Sequence, residues 1–539
     1  METVPGKGIV FGQAPVAARR TTTGRITGAL LDRLAARVTT RGGRDAFEVR
    51  IPFTGEVLGL LPSCTAEDVH AAVRAAREAQ AAWARTPYEE RARIFLRFHD
   101  LLLDRQDEAL DLVQLESGKA RRHAFEEISA TAHTVRYYVN TAQRHLCPRK
   151  RQPALPGTTT TWVYHHPLGV AGFIAPWNFP LVLATDDVVA CLLAGNGAVL
   201  KPDPQASFTA LWALDLLLEA GLPFGLFSIV TGSGPELGPP LVQEVDYIAV
   251  TGSTETGRIV GRQAGERLIG ASLELGGKNP MIVRADANLK RAVAGAIWGS
   301  FASAGQVCLA TERIFVHRSI YEPFVQNFVE QVRSLRLGAG LDWGPDMGSL
   351  TSERQLRKVT ELVDDAVAKG ARLLCGGRRR EDLGPYFYEP TVLEGITPEM
   401  RLFHEEAFGP VVWIEPFLTD EEAIEKANQG RYGLAASVYG EDAESARNLG
   451  TWIRAGTVTV NDAYPIGWAA VDGTMGGVKD SGLGRRHGEE GIRRFTYTQT
   501  VTVNRGPIVA PPRGEAGARR FAKVLTGLLR TWRRIPFLP

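Results

Sequence analysis

Between residues 170 and 266, short apolar runs alternate with helix-length segments, and this alternation constrains the fold more than any other feature of the chain. An apolar run covers 170–175. A helical stretch at about 182–194 follows and ends at Gly195. A second strand is expected at 198–201, then a helix at 207–219 stopped by Gly221 and Pro223. A third strand at 227–231, a short helix, a fourth strand at 247–251 and a helix opening at Thr254 complete the pattern. Strands joined by helices pair in parallel through right-handed crossovers, so the expected fold class is α/β with a Rossmann-like parallel sheet. Such sheets bind ligands beyond the carboxyl ends of their strands.

The flanking segments are organised differently. Residues 1–44 read as an N-terminal extension with one amphipathic helical stretch at 26–38. Residues 46–61 read as strand, turn and strand, with Gly55 in the turn. Thr65 with Asp68 three residues on is a capping-box pattern, and helices are expected from there to about 145. The basic, proline-bearing segment from 149 leads into the β-prone Thr158–Tyr164 run, so 149–165 reads as a protruding ribbon. A weakly alternating strand near 497–503 needs a partner. From 276 to 480 a second α/β pattern appears. Strands are expected at 313–316, 411–415, 435–439 and 457–461, and helices at 320–334 and 353–369.

Composition excludes several function classes. Lys plus Arg number 62 and Asp plus Glu 60, a net charge of +2, so no bulk field favours nucleic acid. The five cysteines form no CxxC pair, which argues against a disulfide framework or a zinc site and fits a reducing, cytoplasmic setting. No apolar stretch reaches the roughly 18–20 residues that span a bilayer. The first residues contain Arg and few acids, as transit peptides do, but the same Ala/Arg/Gly bias runs through the whole chain, and an ordinary extension is expected.

Three residues bring carbonyl chemistry into view. Cys308 lies in Gly305-Gln306-Val307-Cys308, just past an apolar helical run. Glu274 lies in Leu273-Glu274-Leu275-Gly276-Gly277-Lys278, and Asn178 in Pro176-Trp177-Asn178-Phe179-Pro180. A thiol, a carboxylate and an amide supply a nucleophile, a general base and an oxyanion donor. A lone cysteine is more often an inert small hydrophobe, which is the reading for the other four. The turn Thr251-Gly252-Ser253-Thr254-Glu255-Thr256-Gly257 places glycines and a helix N-terminus where a phosphate would bind, although the same pattern serves as a plain helix cap. Lys201 closes the second strand, within reach of a ribose or phosphate.

These motifs resemble, in order, those of the aldehyde dehydrogenase superfamily. Leu200-Lys201-Pro202, Glu405-Glu406-Ala407-Phe408-Gly409-Pro410-Val411 and Gly476-Gly477-Val478-Lys479-Asp480-Ser481-Gly482 complete the set, and the resemblance covers about residues 45–505. It implies that Cys308 forms a thiohemiacetal, that Asn178 and the Cys308 backbone N–H hold the oxyanion, and that Glu274 activates the cysteine or the deacylating water. It implies a cofactor, NADP or NAD, held by Lys201, Gly252, Ser253, Gly257, Trp177, Glu406 and Phe408. NADP is favoured because Pro204 stands where NAD-preferring relatives carry a glutamate. It implies an NAD(P)-binding domain from 45–148 and 166–275, a catalytic domain at 276–480, and a small β oligomerisation ribbon from 149–165 and 496–505 that pairs subunits into homodimers or homotetramers. The substrate is expected to be a small-molecule aldehyde.

The branch most resembled is the actinobacterial succinate-semialdehyde dehydrogenase, through Thr311–Val316, the loop from Asp462 to Met475 and the basic tail. Asp186 departs from it, standing where such enzymes carry an arginine for the substrate carboxylate. Tyr464, Ile466 and Trp468 suggest an apolar mouth and an apolar or aromatic aldehyde instead. A CoA-acylating or non-catalytic relative is disfavoured by Glu274 and by the intact set of three. A thiol hydrolase is disfavoured because no histidine adjoins a motif except His404, expected in a loop. In the tail, 514–539, Phe521, Val524, Leu525, Leu528, Leu529 and Trp532 recur at helical spacing among arginines. The favoured reading packs this helix on its own body or a sister subunit, and the less favoured one on anionic lipid.

Overall fold

The computed structural model describes residues 24–41, 45–153, 155 and 157–534. Residues 1–23, most of the expected N-terminal extension, lie outside the described residues. The helix expected at 26–38 forms at Gly28–Ala35 and buries Leu30, Leu31 and Leu34.

A six-stranded sheet organises the first lobe. Its order is Gly482–Leu483, Gly270–Glu274, Tyr247–Thr251, Val170–Ala175, Gly197–Pro202 and Phe227–Ile229. The last five strands pair in parallel, and Gly482–Leu483 adds an antiparallel edge. Helices cover it because each is apolar on the buried side. Ser207–Ala220 is buried along almost its whole length, and its first turn is closed by Glu116, which accepts from the N–H groups of Phe208 and Thr209 at 2.7 Å each. The Thr65–Asp68 capping box forms and opens helix Ala66–Trp83.

The second lobe is built on a seven-stranded sheet. Its order is Arg372–Cys375, Thr391–Glu394, Val411–Phe417, Thr311–His317, Asn279–Val283, Ala435–Tyr439 and Thr457–Val460. All neighbours are parallel except the Arg372–Cys375 edge. Each sheet has its own hydrophobic core. The ribbon is a three-stranded antiparallel sheet in which Thr496–Asn504 pairs along the full length of Thr159–Pro167, with Arg149–Arg151 on the far edge.

Several elements depart from expectation. Gly270–Glu274 is a strand although its sequence, Gly-Ala-Ser-Leu-Glu, carries little β-propensity; pairing with Tyr247–Thr251 supplies what propensity does not. Asn279–Val283, Arg372–Cys375 and Thr391–Glu394 are further strands that the sequence pattern did not suggest. The 462–475 loop holds a short helix, Tyr464–Ala469. The tail forms a helix, Glu515–Trp532, but none of its residues is buried. Of the two covers expected for it, its own body or a sister subunit, the single chain supplies no more than half-burial, at Phe521, Leu525 and Trp532.

Candidate active site

The segment that carries Cys308 is held in a costly conformation. Helix Leu289–Phe301 ends in a tight turn where Ser303, Ala304 and Gly305 adopt φ of 51°, 54° and 69°. Left-handed backbone costs a residue with a Cβ roughly 1–2 kcal/mol, so the surroundings must over-determine it. They do so through hydrogen bonds. The Ser303 N–H donates to His123 Nδ1 (3.1 Å), and the Thr351 N–H donates to Gln306 Oε1 (3.0 Å). Asn279 Nδ2 donates to the carbonyls of Cys308 and Ala310, both at 2.8 Å. At Gly305 a Cβ would stand 2.0 Å from the Gly409 carbonyl oxygen, so the close approach of these two segments requires glycine.

Cys308 and Asn178 lie on the wall of one cavity of 390 Å³ between the lobes. Burial pushes the Cys308 thiol up to about 12, against the pull of Arg486. At neutral pH it is a thiol, and a base must take its proton as it attacks. The Asn178 amide is oriented by donating through Nδ2 to the Gln306 carbonyl at 3.0 Å. The Asn178 backbone carbonyl accepts from Lys119 Nζ at 2.6 Å, and Lys119 also pairs with Glu127 at 2.7 Å. Glu127 in turn accepts the first N–H groups of helix Pro180–Leu193, from Leu181 at 2.8 Å and Val182 at 3.2 Å. One buried ion pair thus fixes both Asn178 and the helix that follows it.

Glu274 ends the strand Gly270–Glu274 and does not line the cavity. It stands close enough for its charge to raise the Cys308 thiol. Its two carboxylate oxygens are buried, and neither has a hydrogen-bond partner among the described residues. Burial pushes its carboxyl up to about 7, while Arg486 and Arg494 pull down and Asp187 pushes up. A buried carboxyl with free lone pairs, half-ionised near neutrality, has the properties of a general base.

The residues expected to hold a cofactor gather at the carboxyl edge of the first sheet and across from it. Lys201 is buried, and its Nζ donates to the carbonyls of Pro202 (2.5 Å) and Gly232 (3.1 Å). Burial lowers its ammonium to about 8. No carboxylate pairs with it among the described residues, a cation that suits ribose hydroxyls or phosphate. Ser253 caps helix Thr254–Glu266, its Oγ accepting from the Thr256 N–H at 3.2 Å, and Gly252 precedes it with open space at its Cα. Gly257 is different. It is buried, and a Cβ there would stand 2.5 Å from a Leu275 methyl, so packing explains it. Glu406 Oε1 accepts from the Gly277 N–H at 2.7 Å, and burial pushes its carboxyl up to about 7. Phe408, at φ 53°, packs edge-on against Trp177 with ring centroids 5.6 Å apart. This set fits a pyridine dinucleotide: a helix N-terminus for the pyrophosphate, a lysine and a carboxylate for the riboses, and two aromatic rings.

The cavity walls come from helix Arg121–Leu146, helix Pro180–Leu193, Trp298 and helix Tyr464–Ala469. Phe125, Phe179, Trp298, Tyr464 and Trp468 make them largely aromatic. Ile466, expected at the mouth, is not among the lining residues. Away from Cys308, the side chains of Arg122, His133 and Glu126 interrupt the apolar wall. Arg122 pairs with Asp346 at 2.9 Å. Glu126 accepts from the Tyr464 hydroxyl at 2.8 Å through Oε2, while its buried Oε1 has no partner within hydrogen-bond geometry. Burial raises its carboxyl to about 7.

Two expectations need correction. Asp186, read as a repulsive charge toward a substrate tail, is absent from the cavity wall. It is buried beneath it, accepting from Thr134 Oγ1 at 3.2 Å and lying 3.9 Å from His487 Nε2, and burial raises its carboxyl. Histidines also come nearer than the sequence suggested. His123 stacks edge-on against Trp298 at 5.0 Å and His487 against Trp468 at 5.1 Å, while His404, expected in a loop, is the last residue of the short helix Arg401–His404 and bonds to the Pro398 carbonyl at 2.8 Å. Burial drives His123 down to about 3, so it is a neutral acceptor for Ser303. Lys119, Glu126 and Arg486 were also missed. Lys119 and Glu126 lie far in sequence from the motifs, whereas Arg486 follows the 476–482 motif by four residues, and Lys119 comes just after a helix-ending glycine.

Comparison with known proteins agrees with this geometry. Residues 38–501 match the aldehyde dehydrogenase family. A Mycolicibacterium smegmatis protein provisionally named NADP(+) succinate-semialdehyde dehydrogenase is 47% identical over 484 residues, covering 90% of this chain and 93% of that protein. The NAD+ complex of an aldehyde dehydrogenase from Bacillus cereus superposes with a TM-score of 0.81 at 37% identity, covering 85% of this chain and 93% of the other. A betaine aldehyde dehydrogenase from Staphylococcus aureus in complex with NAD+ superposes with a TM-score of 0.83 at 32% identity, covering 87% and 94%.

Proposed function

The chain belongs to the aldehyde dehydrogenase family, and from that premise we propose how its own residues oxidise an aldehyde to a carboxylate. It is an NAD(P)-dependent aldehyde oxidoreductase. Cys308 Sγ attacks the carbonyl carbon as its proton passes to Glu274, which releases it to solvent before the thioester is hydrolysed. The new oxyanion is held by the Asn178 side-chain amide and the Cys308 backbone N–H. NAD(P), when bound, supplies the hydride acceptor. The thioester left on Cys308 is hydrolysed by a water that Glu274 deprotonates. Lys201 and Glu406 hold the ribose hydroxyls, Gly252 and Ser253 face the pyrophosphate, and Trp177 with Phe408 flank the nicotinamide. Gly257 contributes by letting the helix close on Leu275. The observation that carries this reading is the buried, unpartnered Glu274 carboxylate beside a cysteine that shares a cavity wall with Asn178.

NADP is the proposed cofactor. Pro204 offers no carboxylate against a 2′-phosphate, and the mycolicibacterial relative is named for NADP(+). Succinate semialdehyde is the proposed substrate, after the names of the relatives. Arg122, paired with Asp346, offers a cationic group to its carboxylate, and protonated Glu126 offers a hydrogen bond. The aromatic walls favour a second reading, an apolar or aromatic aldehyde. A panel of aldehydes assayed with NADP and NAD at 340 nm decides both points. The highest kcat/KM with succinate semialdehyde and NADP supports the first reading. A preference for benzaldehyde or hexanal supports the second.

We also propose the domain division given above, a cytoplasmic setting and assembly into dimers or tetramers. The last rests on the nearly fully exposed strand Thr496–Asn504, whose free edge and exposed Tyr497, Val501 and Val503 suit a sister subunit. Among the described residues no helix is long and apolar enough to cross a membrane.

A further inference from the structure

The helix Glu515–Trp532 is unused by the chemistry above. It follows a linker containing Pro507, Pro511 and Pro512, in which Ile508 is 87% exposed. None of its residues is buried: Val524 and Leu529 are 57% and 54% exposed, Leu528 is exposed as well, and Phe521, Leu525 and Trp532 are half-buried. Yet it is amphipathic. Phe521, Val524, Leu525, Leu528, Leu529 and Trp532 fall on one arc of a helical projection. An exposed apolar arc of this length in water needs a cover.

Its charge says which. From 515 to 534 the chain carries Arg519, Arg520, Lys523, Arg530, Arg533 and Arg534 against Glu515 alone, a net +5 in a chain whose total is +2. Arg520 and Arg533 border the apolar arc and the others lie opposite it. Two such helices brought face to face repel each other, whereas an anionic surface attracts every one of these cations. Large aromatic and leucine side chains on one face with arginines beside and behind them match a helix lying in a lipid interface, apolar face down and guanidinium groups level with the headgroups. We propose that this helix docks the enzyme on an anionic phospholipid surface. No residue of this helix lines the cavity between the lobes, so docking leaves the cavity open.

The test is co-sedimentation of the full-length enzyme with phosphatidylcholine vesicles that do or do not contain phosphatidylglycerol. The expected result is at least about tenfold more enzyme in the pellet with the anionic vesicles, declining as salt is raised. Two variants are compared, deletion of 514–539 and the double substitution Leu525→Glu with Leu528→Glu. Both should lose the binding and keep aldehyde-dependent NADPH formation. The second keeps the chain length, so it separates lost docking from any effect of truncation. Equal pelleting of full-length and deleted enzyme overturns the proposal. So does a deletion that lowers the oligomeric mass while the full-length enzyme ignores anionic vesicles, since the cover is then a second copy of the chain.

Discussion

The inner end and the outer walls of the cavity are built in opposite ways. At the inner end, Cys308 and Asn178, with Glu274 behind them, sit in short contiguous motifs; Asn279 and Lys119 donate to the backbone carbonyls of Cys308 and Asn178, His123 accepts from the Ser303 N–H, and the Thr351 N–H fixes the Gln306 side chain. The outer walls are side chains on the faces of separate helices, Phe125 and Glu126 on one, Phe179 and Val182 on another, Tyr464 and Trp468 on a third. Substitution in the first region is expected to cost chemistry with every aldehyde, and substitution in the second to change which aldehyde is preferred. Reaction and specificity should then be separable, and each variant below can break that separation.

Cys308→Ala should lower kcat by about 10⁴-fold or more for every aldehyde, as removal of a nucleophile does. Glu274→Gln should cost about 10²–10⁴-fold, the range of a general base. Its loss should also flatten the pH profile. The Glu274 carboxyl is raised to about 7, so the base is protonated below that pH and ionised above it, and wild-type kcat should rise as pH passes upward through about 7. A wild-type profile flat from pH 6 to 8 contradicts that role. Asn178→Ala should lose about 10²–10³ in kcat, with KM much less affected.

The wall variants should behave otherwise. Glu126 ionises as pH rises through about 7, and its charge then opposes a carboxylate tail. Glu126→Gln should lower KM for succinate semialdehyde about three- to tenfold at pH 8 while leaving kcat and the KM of hexanal nearly unchanged. A kcat loss comparable to that of Asn178→Ala would show that wall and chemistry are coupled after all.

The same contrast governs what was legible in the sequence. The parallel sheet could be read because its strands are uniformly apolar, and the three inner residues because each lies in a local motif. Strand Gly270–Glu274 escaped notice because its small residues owe their extended form to a neighbouring strand rather than to propensity. Glu126 escaped because nothing local marks it; a helix face becomes a wall only when another lobe closes over it. Asp186 was misplaced for the same reason. Counting residues from Asn178 located it on the right helix, but the helical turn aims it at His487 beneath the wall.

The covalent step can be examined directly. Glu274→Gln enzyme is mixed with an aldehyde and NADP, allowed to form one equivalent of NADPH, quenched in acid and digested for peptide mass spectrometry. The account predicts the acyl mass on the peptide that holds Cys308. One equivalent of NADPH with that peptide unmodified, or with the acyl group on Cys64, Cys147, Cys191 or Cys375, would contradict it.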